Sequence, residues 1–176
     1  MTIAAPAFVQ QLNEQIGHEF AAHQQYIAIA AYYDAQTMPQ MAALFYEQAL
    51  EERDHAMMMV QYLLDADETP QIPALDAPRS AFADIVEPVA VALEQERRVT
   101  QQINALTLVA REAGDLASEQ FMQWFIKEQV EEVAKMGDLL AVATRSQSDV
   151  DRLEEWVKRE GGAEGADPTA PRIAGA

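Results

Sequence analysis

Glu51-Glu52-Arg53-Asp54-His55 lies midway along a run with helical periodicity that extends from about Gln40 to Asp65. Residues three apart share one face of an α-helix, so Glu52 and His55 can offer an oxygen and a nitrogen to the same ion. Glu-x-x-His is short enough to arise by chance in an acidic helix, and its meaning depends on its register and on its partners elsewhere in the chain. Met41, Phe45, Gln48, Glu52, His55, Met59 and Leu63 recur at steps of three and four. The pair therefore sits on an apolar stripe and is directed inward.

Upstream, Leu12, Ile16, Glu19, His23, Tyr26, Ala30 and Tyr33 form one face of a helix from about Phe8 to Tyr33, with Glu19 in mid-stripe. Thr37-Met38-Pro39-Gln40 reads as a stop and restart, with Thr37 as N-cap and Gln40 closing a capping box. Downstream, Asp67 to about Ala83 holds Pro70, Pro73 and Pro78 and shows no helical period. At roughly 3.3 Å per residue such a connection can run ~50 Å, the length of a long helix, and so permits one crossover in a four-helix bundle.

A third helix is expected from near Asp84, where Asp84-x-x-Glu87 can cap it. Its stripe is Ile85, Val89, Leu93, Glu96, Val99, Ile103, Leu106 and Ala110. After a turn at Gly114, a fourth runs from about Leu116 to Thr144 with Phe121, Phe125, Glu128 or Gln129, Glu132, Met136, Leu139 and Ala143 on one face. Ser148-x-x-Asp151 opens a short fifth helix to about Glu160, with Leu153, Trp156 and Val157 as its apolar side. The expected architecture is all-α, with one bundle domain over 1–160. Gly, Ala and Pro over 161–176 read as a flexible tail.

Composition agrees with this architecture. The 176 residues are 49% hydrophobic, enough for one core, and contain no cysteine, which excludes disulfides and thiolate metal sites. No apolar run approaches the roughly 20 residues of a membrane span, and Met1 to Gln10 lacks the features of a signal peptide. A soluble, cytoplasmic protein is the expectation. The formal net charge of -17, from 29 acidic against 12 basic residues, opposes nucleic acid and anionic lipid as partners and favours cations. An acidic coat on an ordinary surface would give the same balance.

Each long helix thus carries one acid near the middle of its apolar stripe: Glu19, Glu52, Glu96 and Glu132. One such glutamate alone reads as a boundary residue whose carboxylate reaches water. Four at one level would repel and unfold the bundle unless protonated or neutralised. Two divalent ions balance four carboxylates, and an oxygen set with His55 suits Fe(II), Mn(II) or Zn(II) better than Mg or Ca. Tyr26, two turns from Glu19, reads either as a neighbour of the metals or as a core tyrosine. His23 reads as a satisfied histidine, and Met57, Met58 and Met59 as core filling. Glu51, Glu128 and Glu131 form either a further cation site or a solvated face.

From about Gln11 to Glu160 the chain resembles the non-haem bacterial ferritins, most closely the actinobacterial type. The likeness is carried by Glu19 with Tyr26, by Glu-Glu-Arg-Asp-His at 51 to 55 followed by Ala-Met-Met, and by Glu96. Gln-Phe-Met-Gln-Trp-Phe at 120 to 125 and Glu-Gln-Val-Glu-Glu-Val at 128 to 133 complete it. The resemblance implies a ferroxidase centre at which O2 oxidises two Fe(II), the ferric product being stored as mineral inside a homo-24-mer shell. It assigns Glu19, Glu52 and His55 to the first iron, with Glu52 bridging, and Glu96 and Glu132 to the second, with Gln129 close by. Glu51, Glu128 and Glu131 correspond to a third iron site towards the cavity.

Two departures from bacterioferritins argue against haem. Gln129 stands where they carry a second histidine, and Arg53 where they carry the haem-binding methionine. The single Glu-x-x-His and the lack of cysteine count against di-iron oxygenases and rubrerythrin-like peroxidases. From a different class, a metal-free acidic bundle acting as an interaction module is the alternative. Particle size separates it from a shell, for which 24 chains of 19.5 kDa give about 470 kDa.

Overall fold

The computed structural model describes residues 4–161, 165 and 167–176. Five helices follow in chain order: α1 Pro6–Ala35, α2 Pro39–Asp65, α3 Glu87–Glu112, α4 Leu116–Arg145 and α5 Val150–Glu160. There is no strand among the described residues. Short connections join α1 to α2 and α3 to α4, so each pair is an antiparallel hairpin, and α1 packs on α3 to bring the hairpins together. Gly114 turns the second hairpin at φ +69°, a conformation that glycine adopts without steric cost.

The crossover, 66–86, is strapped along α1 at successive points. Asn13 Oδ1 accepts from Gln71 N at 2.6 Å, Pro73 sits against Gly17, and Gln25 pairs with both backbone groups of Arg79 at 2.8 and 2.9 Å. Tyr33 then donates its hydroxyl proton to Ile85 O at 2.7 Å. The strap therefore begins beside the start of α1 and ends beside its finish, which sets α3 parallel to α2. A side chain at Gly17 would place its Cβ 2.7 Å from Pro73, so close approach of the strap requires glycine there.

Helix ends depart from the sequence-based expectation in an instructive way. Thr37 is no cap; it lies at φ +60° in the turn, and α2 starts with Met38 as N-cap and Pro39 in its first turn. Its orphan N–H groups are taken up from α5, where the Glu154 carboxylate accepts from Gln40 N at 2.8 Å and Met41 N at 2.9 Å. The cap of α5 is Asp149 rather than Ser148. Asp84 Oδ1 accepts from Val86 N and Glu87 N, both at 2.9 Å, and α3 begins three residues later than Asp84. Asp115 caps α4 through Ser118 N and also accepts from Ala5 N at 2.8 Å.

The interior is divided in two. One apolar block contains Tyr26, Tyr33, Phe45, Leu93 and Leu139, with Leu153 and Val157 of α5. The other contains Phe8, Leu12, Met59, Ile103 and Phe125. On every long helix the change from one block to the other falls at the same place: between Ile16 and Tyr26, between Ala49 and Met58, between Leu93 and Val99, and between Phe125 and Met136. Each fully buried side chain of this size contributes about 1.5–3 kcal/mol. The two blocks hold a buried polar layer between them.

The last ten residues lie against α2 and α4. Trp124 Nε1 donates to Asp167 Oδ2 at 3.0 Å, Ala174 N to Met57 O at 3.2 Å, and Arg172 pairs with Asp65 at 2.6 Å. Ala170, Ile173 and Ala174 pack on the second apolar block. Of the expected flexible segment 161–176, residues 162–164 and 166 lie outside the described ones.

Candidate metal centre

The polar layer is made by the acids that interrupt the four stripes. Glu19 from α1, Glu52 and His55 from α2, Glu96 from α3 and Glu132 from α4 are all at most 4% exposed. One ligand atom each from Glu19, Glu52 and His55 lies within 4.8 Å of the others, and His55 Nδ1 is 3.5 Å from Glu52 Oε2. Glu96 and Glu132 lie near enough for their charges to press on Glu52. Tyr26 donates its phenolic proton to Glu96 Oε1, and Gln129 Nε2 donates to Glu96 Oε2 at 3.1 Å. Gln129, not Glu128, is thus the inward residue of the pair left open by periodicity. Glu128 is half-buried.

Electrostatics follows from this crowding. Burial pushes the Glu19 and Glu52 carboxyls well above the usual range, and the neighbouring carboxylates, Glu52 for the one and Glu96 for the other, push further. Burial also raises Glu132, to about 8, against the opposing ammonium of Lys135. The Tyr26 phenol is raised by burial and by the Glu96 charge. Glu19 Oε2, Glu52 Oε1 and Glu132 Oε2 are buried without a hydrogen-bond donor. Each orphan acceptor costs about 1–3 kcal/mol, so the layer is built at the expense of stability. Cations remove both the repulsion and the unpaired lone pairs, and the donor set of hard carboxylates with one imidazole fits Fe(II).

Packing orients the ligands. The His55 ring meets Trp124 and Phe125 edge-on at centroid distances of 5.6 and 5.8 Å. Gln15 Nε2 donates to Glu19 Oε1 at 2.8 Å and lies 3.3 Å from Gln102 Oε1. Neither glutamine was singled out from the sequence, although Gln15 stands four residues before Glu19 on the same face. His23 Nδ1 meets Ala49 O at 2.5 Å and so ties α1 to α2. Met58 and Met59 belong to the second apolar block, against which Met57 packs.

Glu51, Glu128 and Glu131 form a second, wetter group. They line an open cavity of about 660 Å³ together with His55 and the tail's Asp167. Gln48 donates to Glu51, and Lys127 Nζ lies 3.9 Å from Glu131. Lys135 Nζ stands 3.8 Å from Glu51 Oε2 and 3.9 Å from Glu132 Oε1, linking the buried and open groups. The lysine escaped sequence reading; its signal was a position three residues after Glu132 and four after Glu131.

Residues 9–146 match the family model described as the ferritin-like domain. The chain is 55% identical to ferritin BfrB of Mycolicibacterium smegmatis and 51% identical to ferritin BfrB of Mycobacterium tuberculosis, in each case over 93% of this chain and 91% of the relative. A bacterial non-heme ferritin of Staphylococcus aureus is 35% identical over 87% of this chain and 92% of its own. Among solved structures, an open-pore ferritin from Archaeoglobus fulgidus superposes with a TM-score of 0.85 at 26% identity, covering 91% of this chain and 99% of that one. With five helices, a crossover and a buried carboxylate layer, the chain belongs to the ferritins, the iron-storage family, and is of the actinobacterial type.

Proposed function

We propose that the buried layer is a ferroxidase centre in which Glu19, Glu52 and His55 hold one Fe(II) and Glu96 and Glu132 a second, with Glu52 shared. The observation that supports this reading best is the Glu19, Glu52 and His55 cluster within 4.8 Å, adjoined by two further buried glutamates. Two ferrous ions side by side can deliver two electrons to O2 together, reducing it to the peroxide level without releasing superoxide. The glutamates favour the ferric product because hard anionic oxygens stabilise the higher charge.

The protein's own groups supply the rest. In the ion-free layer, carboxyls with raised pKa hold protons that arriving ions displace, so loading exchanges positive charge for positive charge in a buried site. Tyr26 and Gln129 both donate to Glu96 and fix its orientation. Glu51, Glu128 and Glu131 form a third iron site on the way to a storage cavity. Self-assembly into a 24-subunit shell and a cytoplasmic location complete the reading; none of the described helices is long and apolar enough to cross a membrane. Haem forms no part of it, given Arg53 and Gln129 at the positions noted above.

Aerobic addition of Fe(II) to the metal-free protein, followed by the diferric absorbance, tests the reading. The wild type should oxidise iron rapidly and elute near 470 kDa, about 24 chains. Glu52→Ala should elute identically and lose the fast phase. Equal rates in the two proteins would overturn the assignment.

A further inference from the structure

Among the described residues, Lys135 is the one basic residue with ion-pair contacts to both carboxylate groups. Its partners come from different helices and different environments: Glu132 on α4 belongs to the buried layer, while Glu51 on α2 opens on the cavity. Glu51 is the chain neighbour of Glu52, and Glu132 that of Glu131, so the ammonium sits at the seam between the centre and the proposed third site. Its side chain is a quarter exposed, and Lys135 also lines a second cavity of about 290 Å³ together with Asp138 and Glu160.

We propose that Lys135 is a tethered cation that competes with metal at this seam, keeping the third site weak so that iron passes through it rather than lodging there. The proposal rests on the third-site reading above. Its physical basis is like-charge exclusion. A divalent ion held by Glu51 and its fellow outer carboxylates would lie within a few ångströms of the ammonium, where repulsion is poorly screened. The ion can settle only if the ammonium swings away, and the 290 Å³ cavity beside Asp138 and Glu160 offers it an acidic alternative. When the ion leaves, the ammonium returns to Glu51. A flexible four-carbon stem with a compact charge suits such movement.

Titration of the assembled, metal-free protein with Zn(II), a redox-inert probe, tests this by calorimetry. The proteins compared are wild type, Lys135→Leu, Lys135→Arg and Glu128→Gln/Glu131→Gln. The wild type should take up two ions per subunit tightly and a third weakly. Lys135→Leu should tighten the third event by about tenfold and the second by less, leaving the first within about threefold, whereas Lys135→Arg, which keeps the charge, should bind like wild type. A third event seen in Lys135→Leu alone would support the proposal equally. A third event of equal affinity in wild type and Lys135→Leu, yet lost in the double glutamine variant, would overturn the lysine's role and leave the third site standing. So would a Lys135→Leu change spread evenly over all three events. A third event that survives the double variant, or is absent from both wild type and Lys135→Leu, would overturn the third-site reading and this inference with it.

Discussion

Glu51 and Glu52 are adjacent in the chain, as are Glu131 and Glu132, yet each pair is divided between two environments. Glu52 and Glu132 are buried between apolar blocks, while Glu51 is half-buried and Glu131 exposed. A step of one residue turns a helical side chain by about 100°, enough to move a carboxylate from the interior to water. Chemistry follows from that step. The inner acids lose hydration, hold protons and gain from binding cations; the outer acids keep water and can receive or release an ion at little cost.

Four measurements probe this division, in order of expected effect. His55→Ala should slow initial aerobic Fe(II) oxidation by about a hundredfold, since the nitrogen ligand is removed from a closed site. Glu52→Leu should likewise lose the fast phase of oxidation and yet stabilise the metal-free protein by about 1–3 kcal/mol, because a buried, undersatisfied carboxyl is replaced by an apolar group of similar size. Thermal unfolding would show this, and a fall in Tm would mean that the layer is not strained. The inner acids also predict a pH dependence. The folded pKa values of Glu19, Glu52 and Glu132 lie above the ordinary carboxylate value, so the folded state binds more protons and this contribution to stability declines as pH rises from about 4.5 towards about 8. The Tm of the metal-free protein should therefore fall between pH 5 and 8, less steeply in Glu132→Gln. Glu131→Gln, changing an exposed side chain, should move Tm by less than about 2 °C at any pH.

Much of this division could be read from the sequence, because a helix whose stripe is apolar for four or five turns leaves little doubt about the side on which its single acid stands. Glu19, Glu52, Glu96 and Glu132 were placed by that logic alone. Where two acids or amides are adjacent at the stripe's edge, as at Glu128 and Gln129, periodicity cannot choose, and packing against Glu96 decides. The cap of α2 was misassigned for a different reason. Thr37 offered a local solution, whereas the carboxylate that serves those N–H groups comes from Glu154, more than a hundred residues away. Lys135 was overlooked because a charge on a helix edge has no distinguishing period; only its two partners give it significance.

Because Ile173 lines the open cavity and Ala176 is exposed three residues later, a peptide genetically appended after Ala176 would emerge within about 10 Å of Ile173, on the rim of the cavity that Glu128 and Glu131 also line. Fusions made there would deliver enzymes, dyes or mineral-nucleating sequences to the acidic mouth, while a polyhistidine affinity tag in the same place would compete with the glutamates for metal ions.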